Sequence, residues 1–404
     1  MNNLLSIIWI IIQVIIGFNL VFPLLLFLFY GIRQSIVSEN KEGVLKHDPD
    51  YGIIVTAYEQ TDNLPSVVKS LLQLQYSNYL IYIVADKCDI SNLHFNDDRV
   101  ILLRPEETLA SNTRSHFYAI NRFVRPHTHL TIIDSDNLVK PDYLVQLNEY
   151  FNYGYKAVQG IREAKNLDTT FACLDAARDI YYHFYDGKVL FGSGSSATLA
   201  GSGMAFTTEL YQQCLGHLDI TGAGFDKVLQ AEILKRDERI AFTGKAIVYD
   251  EKTSRSDQLV NQRARWINTW FKYFKYGFRM MANGLAKFSL NQFVFGLVLV
   301  RPPLFMFLLA SVAFMAINIV VGNLMVSALW ATGLLIFVAG FALALLRSET
   351  DKRIYRSLIN IPRFMFLQVL SLLRIFKRSN KQNIATKHYS STHTDDIIDN
   401  KGEN

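Results

Sequence analysis

Leu130-Thr131-Ile132-Ile133-Asp134-Ser135-Asp136 is the stretch on which the reading of the chain turns: a short apolar run that stops abruptly at two carboxylates one residue apart. The run predicts a buried strand, and the acids mark its exit. Two upstream runs have the same form. Gly52-Ile53-Ile54-Val55-Thr56 leads into Ala57-Tyr58-Glu59, and Leu80-Ile81-Tyr82-Ile83-Val84 leads to Asp86. Between them, Leu64 to Leu74 carries apolar residues at helical spacing. This β-α-β alternation predicts an α/β domain with a parallel sheet covered on both faces, whose ligands bind at the carboxyl ends of the strands.

Acids gathered at that edge repel one another unless a cation or a hydrogen-bonding ligand lies between them. An Asp-x-Asp exit offers oxygen ligands suited to Mg²⁺ or Mn²⁺ bridging a diphosphate. A turn whose Asx side chains cap the next helix accounts for Asp134-Ser135-Asp136 equally well. Further along come Gly201-Ser202-Gly203, Gly224-Phe225-Asp226 and Gln262-Arg263-Ala264-Arg265-Trp266. Gln262, Arg265 and Trp266 stand at i, i+3 and i+4, so a helix would present all three on one face. The plainer account makes Trp266 and Trp270 core aromatics, the arginines a solvated side, and the Gly/Ser-rich stretch 192–203 a surface loop.

Outward from this region the chain turns strongly apolar. It has 404 residues, half of them hydrophobic and only 19% charged, with 41 Lys+Arg against 36 Asp+Glu. That excludes a disordered polypeptide. A net charge of +5 without a basic, aromatic-interleaved helix gives no support to a nucleic-acid partner. Three scattered cysteines fit a reducing compartment rather than a disulfide framework. Leu4 to Tyr30 holds no charge, about 27 positions where about 20 span a bilayer, and predicts an anchor; a signal peptide would need a basic start and a cleavage site that are missing. Apolar blocks at about Phe293–Val321, broken at Arg301-Pro302-Pro303, and Leu324–Leu346 predict two more spans. Arg301 belongs near the interface, with the span proper starting near Leu304.

Arg33, Lys41 and Lys46 follow the first span, and Arg347, Lys352, Arg353 and Arg356 the third. By the positive-inside rule the N-terminus lies outside, with the central region and C-terminus cytoplasmic; in a bacterium the membrane would be the plasma membrane. Leu358–Phe376, bounded by Arg363 and Arg374, is too short to cross between charges and reads as an interfacial helix. The expected organisation is an anchor and linker (1–47), a catalytic domain (48–290), two spans (291–347), an interfacial segment (348–376) and a polar, unstructured tail (377–404).

The ordered set of Asp86, Asp134-x-Asp136, Asp226 and Gln262-x-x-Arg265-Trp266 resembles the membrane-bound family 2 glycosyltransferases, which include hyaluronan, chitin, cellulose and poly-N-acetylglucosamine synthases and ceramide glucosyltransferase. The resemblance covers about 48–274 and the flanking helices. It implies a glycosyltransferase A-type nucleotide-sugar-binding domain with a mostly parallel sheet. By resemblance, Asp86 binds the uracil or ribose of a UDP-sugar, with Tyr58 and Glu59 beside the nucleoside. Asp134 holds the nucleotide, Asp136 is the more direct ligand of Mg²⁺ or Mn²⁺, and Arg265 meets the diphosphate. Asp226 matches the catalytic base, although Gly-Phe-Asp stands where many relatives have a second acid; Glu232 is the fallback. Gly201, Ser202, Gly203, Gln262 and Trp266 would line the acceptor side. Lys165-Asn166 also resembles a family pattern, while His116, His127, His129, His183 and His217 show no ligand spacing, and Tyr181–Tyr185 reads as core.

The expected chemistry is inverting, because one displacement with one base needs no second nucleophile. Gln-x-x-Arg-Trp favours a growing polysaccharide as acceptor, with single transfer to a membrane lipid as the alternative. Three spans are few for a sugar channel, so export would call for a homo-oligomer or a partner protein. A receptor that binds nucleotide sugar without transfer is the non-enzymatic alternative. The donor sugar and the linkage are not legible.

Overall fold

The computed structural model describes residues 2–36 and 48–377. The expected linker at 37–47 and the tail at 378–404 lie outside them. Helix α1 (Asn2–Ile36) is followed by β1 (Tyr51–Tyr58), α2 (Leu64–Leu72), β2 (Tyr79–Asp86), β3 (Val100–Leu103), α3 (Asn112–Ile120) and β4 (His129–Asp134). Then come β5 (Leu138–Val139), α4 (Tyr143–Asn152), β6 (Ala157–Ala164) and α5 (Thr170–Tyr182), which runs through a π-helical segment (His183–Val189) into α6 (Leu190–Gly192). Strand β7 (Met204–Thr207), α7 (Thr208–Leu215), α8 (Phe225–Lys235) and β8 (Ile240–Asp250) complete the sheet region.

All eight strands form one sheet in the order β3-β2-β1-β4-β7-β6-β8-β5. The first four positions are parallel, as their apolar runs predict; β7 inserts antiparallel between β4 and β6, and β5 is antiparallel to β8. Side chains of one strand alternate between faces. Ile53, Val55, Ile81, Ile83 and Ile133 therefore pack against α2 and α4, while Ile54, Tyr82, Val84, Leu130 and Ile132 point into the opposite layer.

That second layer does not end at the domain. Its core continues through Phe184, Tyr185 and Val189 to Leu20, Phe22 and Leu26 of α1 and to Trp330 and Phe337 further along the chain. After β8 follow α9 (Ser256–Tyr273), α10 (Lys275–Ala286), α11 (Leu290–Val300), α12 (Leu304–Val320), α13 (Leu324–Leu346), α14 (Lys352–Ser357) and α15 (Ile361–Lys377). Two helices, α1 from Leu4 onward and α13, are long and apolar enough to cross a membrane. The block expected to form the second span is bent by 69° at Arg301-Pro302-Pro303, the break read from the sequence, giving α11 and an α12 that starts at Leu304. Proline removes the amide hydrogen that the helix needs there.

Arg301 was expected near the interface. It lies buried at the bend, paired with Asp186 of the π-helical segment. The spanning helices are also stitched together by polar groups: Gln13 accepts hydrogen bonds from Asn318 (2.8 Å) and Trp330 (3.0 Å). The segment expected to be interfacial is helical from Lys352, with α15 lying along α9 and Arg374 donating to Asn261 at 2.7 Å.

Candidate active site

Parallel register brings the acidic exits together. Tyr58 stands opposite Asp86, and Thr56 opposite Asp134. A cavity of about 1250 Å³ opens at this edge, lined there by Thr56, Tyr58, Asp86, Asp134 and Asp136. The Asp-x-Asp exit is held by a hydrogen-bond relay. The Asp134 amide donates to Ser202 Oγ (3.1 Å), whose hydroxyl donates to Asn137 Oδ1 (2.6 Å). Asn137 in turn donates to Asp136 Oδ1 and Asp250 Oδ1, both at 3.3 Å. A buried Asn so fully engaged fixes the turn, because any other arrangement would leave polar atoms unpaired.

Asp86 is buried and accepts from the amides of Leu109 (2.9 Å) and Ala110 (2.8 Å), one on each carboxylate oxygen. It thereby clamps the loop at Ala110, whose φ of +46° is one that non-glycine residues rarely adopt. Glu59 does not line the cavity. It turns outward to Lys87 at 2.7 Å, and that hydrogen bond lowers its pKa.

On the acceptor side, α8 starts at Gly224, whose φ of +98° is left-handed and whose missing Cβ would lie 2.6 Å from Thr269 and Tyr273 of α9. Only glycine permits this approach. It brings Asp226, in the first turn of α8, to the cavity beside Gln262, Arg265, Trp266 and Trp270. Phe225, which stands beside Asp226, is buried, edge-on against His116 at 5.1 Å. Asp226 pairs with Lys227 at 3.0 Å, and the helix N-terminus favours its negative charge. Glu232 is bound to Lys235 and Arg236 outside the cavity.

Gly201 lines the cavity with open space where a side chain would be. Ser202 and Gly203 do not line it: Ser202 is turned into the relay beneath Asp134, and Gly203 abuts Val248. Gln262 accepts from Thr253 at 3.1 Å. The guanidinium groups of Arg178 and Arg263 lie 4.4 and 4.3 Å from the Trp266 ring, a cation–π arrangement that fixes the indole. Burial lowers the Arg265 pKa, opposed by the neighbouring Asp134 carboxylate.

A buried ionic network extends the site. Lys252 Nζ donates to Asp179 (2.6 Å) and Asp250 (2.9 Å), Arg162 pairs with Asp250 (2.5 Å), and Arg178 pairs with Asp179 and Asp175. Arg263 also pairs with Asp175. Burial alone would raise the carboxyls of Asp179 and Asp250, yet the surrounding cations hold both well below the usual range. Asn166 braces this region by accepting from the Lys252 amide (2.7 Å) and donating to its carbonyl. None of the network except Arg263 and Lys165-Asn166 lies in a stretch that sequence patterning singled out. The missing signal is a helical one: Asp175, Arg178, Asp179 and Tyr182 recur at i, i+3, i+4 and i+7 on α5.

The π-helical segment contributes His183, Asp186 and Gly187 to the cavity wall. π-helical turns concentrate at functional sites. Burial pushes the His183 imidazole down to about 4, so it is neutral at pH 7. Beyond Arg301 the wall becomes aliphatic and aromatic: Leu308 of α12, Leu334, Phe337 and Phe341 of α13, and Phe364 and Met365 of α15.

The two cavity acids of the Asp-x-Asp exit suit a hard divalent cation that takes its remaining ligands from a diphosphate and water. Among the described residues no cluster of three or more His, Cys, Asp or Glu side chains forms a closed metal site.

This mostly parallel sheet, with an acidic carboxyl edge and a carboxylate of α8 lining the same cavity, is a glycosyltransferase A-type α/β architecture. Residues 49–269 match the model for glycosyltransferase like family 2, and the chain belongs to that family. It is a glycosyltransferase. No curated protein matches it. Among solved structures it is similar to the mannosyltransferase PcManGT from Pyrobaculum calidifontis in complex with GDP-Man and Mn²⁺ (14% identity, TM-score 0.54, covering 89% of this chain and 95% of that one). It also aligns with S. aureus TarS 1–349 (12% identity, TM-score 0.39, covering 56% of this chain and 65% of that one). At these identities the former likeness speaks to the fold, and the latter is too distant to add to it.

Proposed function

We propose that the enzyme transfers one sugar, with inversion, from a nucleotide-diphosphate sugar to a membrane lipid on the cytoplasmic side. One observation carries the choice of acceptor: the cavity is continuous from Asp134 and Asp136, past Asp226 and Trp266, into the apolar limb between α12, α13 and α15. An alkyl chain entering such a limb gains about 0.8 kcal/mol per buried methylene. A sugar polymer would instead set its hydroxyls against Leu, Phe and Met side chains, at the cost of unpaired hydrogen bonds. This apolar limb supports the lipid acceptor, the alternative to the growing polysaccharide that Gln-x-x-Arg-Trp favours.

In this reading the nucleotide lies along Tyr58 and Asp86, with the diphosphate facing Arg265. Asp134 and Asp136 would hold Mg²⁺ or Mn²⁺, which supplies charge for the departing diphosphate. Asp226 takes the proton of the acceptor hydroxyl as that oxygen attacks the anomeric carbon from the face opposite the leaving group. Trp266, fixed by Arg178 and Arg263, offers an apolar face to the sugar. Arg33, Arg347, Lys352, Arg353 and Arg356 favour a cytoplasmic catalytic domain, where nucleotide sugars are made.

The test is purified protein in lipid nanodiscs with radiolabelled UDP- and GDP-sugars, with and without total membrane lipid. Label in an organic-extractable product bearing one sugar is expected. A water-soluble product that lengthens with time would overturn the lipid assignment.

A further inference from the structure

The two arginines of the Gln262–Trp266 stretch serve different sides of the cavity, and both line it. At about 3.6 residues per turn, Arg263 and Arg265 stand about 160° apart around α9, with Gln262 and Trp266 between them. Arg265 lies on the side of Asp134. Arg263 occupies the other margin, 2% exposed, where it pairs with Asp175 of α5. One turn before Arg263, Leu259 packs on Leu174 and Phe364, and these two line the cavity where its wall becomes apolar. Arg263 thus stands one helical turn from the indole on one side and one turn from the apolar wall on the other.

This corner of the cavity offers donors only. Nε and Nη1 of Arg263, Nε of Arg178 and Nε1 of Trp270 are buried and have no acceptor among the described residues. Trp270, at i+7 from Arg263, projects from the same side of α9, and all three residues line the cavity. Buried N–H groups without acceptors are costly, so a ligand rich in acceptor oxygens is the natural complement. The charges point the same way. Arg162, Lys252, Arg178 and Arg263 are joined through Asp250, Asp179 and Asp175, four cations on three carboxylates. An excess buried cation calls for an anion beside it. Phosphate oxygens meet both demands, since they accept several hydrogen bonds from a guanidinium fork.

We propose that Arg263, Arg178 and Trp270 form a subsite for a phosphodiester in the acceptor, which is therefore an anionic phospholipid whose headgroup carries the hydroxyl to be glycosylated. This rests on the lipid acceptor proposed above and on Asp226 as its base. The anion and the nucleophile are separate groups of the acceptor. A terminal phosphate acting as nucleophile would need no base and would be repelled by the Asp226 carboxylate. The hydroxyl then lies by Asp226, the phosphodiester past Trp266 at Arg263, and the acyl chains in the apolar limb.

The full-length enzyme in phosphatidylcholine nanodiscs is offered phosphatidylglycerol, diacylglycerol with the same acyl chains, or a polyprenyl monophosphate, each at the same low mole fraction, with labelled nucleotide sugar. Phosphatidylglycerol should exceed diacylglycerol in kcat/KM by at least about ten-fold, and Arg263→Gln should bring that ratio close to one. Trp270→Phe keeps a ring and loses the N–H; it should lower the ratio about three-fold, and it reads the subsite even where loss of Arg263 unfolds the protein. Equal kcat/KM for phosphatidylglycerol and diacylglycerol would overturn the subsite while leaving a lipid acceptor in place. So would preferred labelling of the polyprenyl phosphate, which would make anion and nucleophile one group, or an Arg263→Gln effect confined to the donor KM, which would give the guanidinium to the diphosphate. A lengthening polymer with no labelled lipid would remove the lipid acceptor and the subsite with it.

Discussion

Replacement of Lys252 by Met tests the buried network with little change in shape. The ammonium sits on a side chain 1% exposed and bridges Asp179 and Asp250. In its absence Asp250 keeps Arg162 and Asp179 keeps Arg178, so each carboxylate loses one cation rather than all. Breaking a buried pair outright costs about 3–5 kcal/mol, and with partners retained we expect about 3 kcal/mol. For a cooperative unit of this size that is a fall of about 6–12 °C in Tm.

The pH dependence separates charge from packing. Asp179 and Asp250 have folded-state pKa values below their unfolded ones, so their stabilisation is full above the unfolded value of about 4 and is lost as pH falls through the folded value. Removing Lys252 moves both folded values upward. The variant's deficit should therefore hold level from neutrality down to about pH 4 and shrink as pH falls further, where protonation relieves the stranded carboxylates. Thermal unfolding followed by intrinsic fluorescence across that range gives both quantities. A Tm within about 1 °C of the parent at pH 7, or a deficit that does not vary with pH, would refute the electrostatic account.

Four further outcomes are expected. Asp226→Asn should reduce transfer by at least about a hundred-fold while nucleotide-sugar affinity, measured by calorimetry, stays within about two-fold; equal transfer would remove Asp226 as the base. Asp136→Ala should abolish the dependence of nucleotide binding on Mn²⁺ titration, and retained dependence would move the metal elsewhere. Asp86→Asn places an amide against one of two backbone N–H donors, so it should cost about 1–3 kcal/mol of stability as well as raise the donor KM; a KM effect with unchanged Tm would show that the loop clamp is unimportant. Trp266→Ala should spare donor binding and impair transfer, whereas normal transfer would return the indole to a packing role.

The parallel half of the sheet was legible because β1, β2 and β4 are buried on both faces and so read as unbroken apolar runs. The antiparallel insertion of β7 was not, since Met204–Thr207 is four residues long and its place is set by pairing with distant β4 and β6. Local motifs carried Asp134, Asp136, Asp226 and the α9 residues to one cavity. They did not reveal that Ser202 and Gly203 lie behind the wall, because a Gly/Ser motif carries no sign of which atoms face outward. Arg301 looked like an interfacial charge in an apolar block; its partner Asp186, 115 positions away in the chain, is what allows it to be buried. The bend beside it was visible as Pro302-Pro303, but its angle depends on tertiary packing.

The apolar layer shared by the sheet, α1 and α13 bears on how the protein is made. The catalytic domain emerges from the ribosome before α12 and α13, so Phe184, Tyr185 and Val189 wait for Trp330 and Phe337 to be synthesised before their contacts exist. A fragment ending at Tyr273 would present that unfinished surface to water. Expression of the sheet domain alone should therefore yield chaperone-bound or aggregated protein, and biogenesis should end with a docking step in which the last spanning helix closes the core of a domain translated earlier.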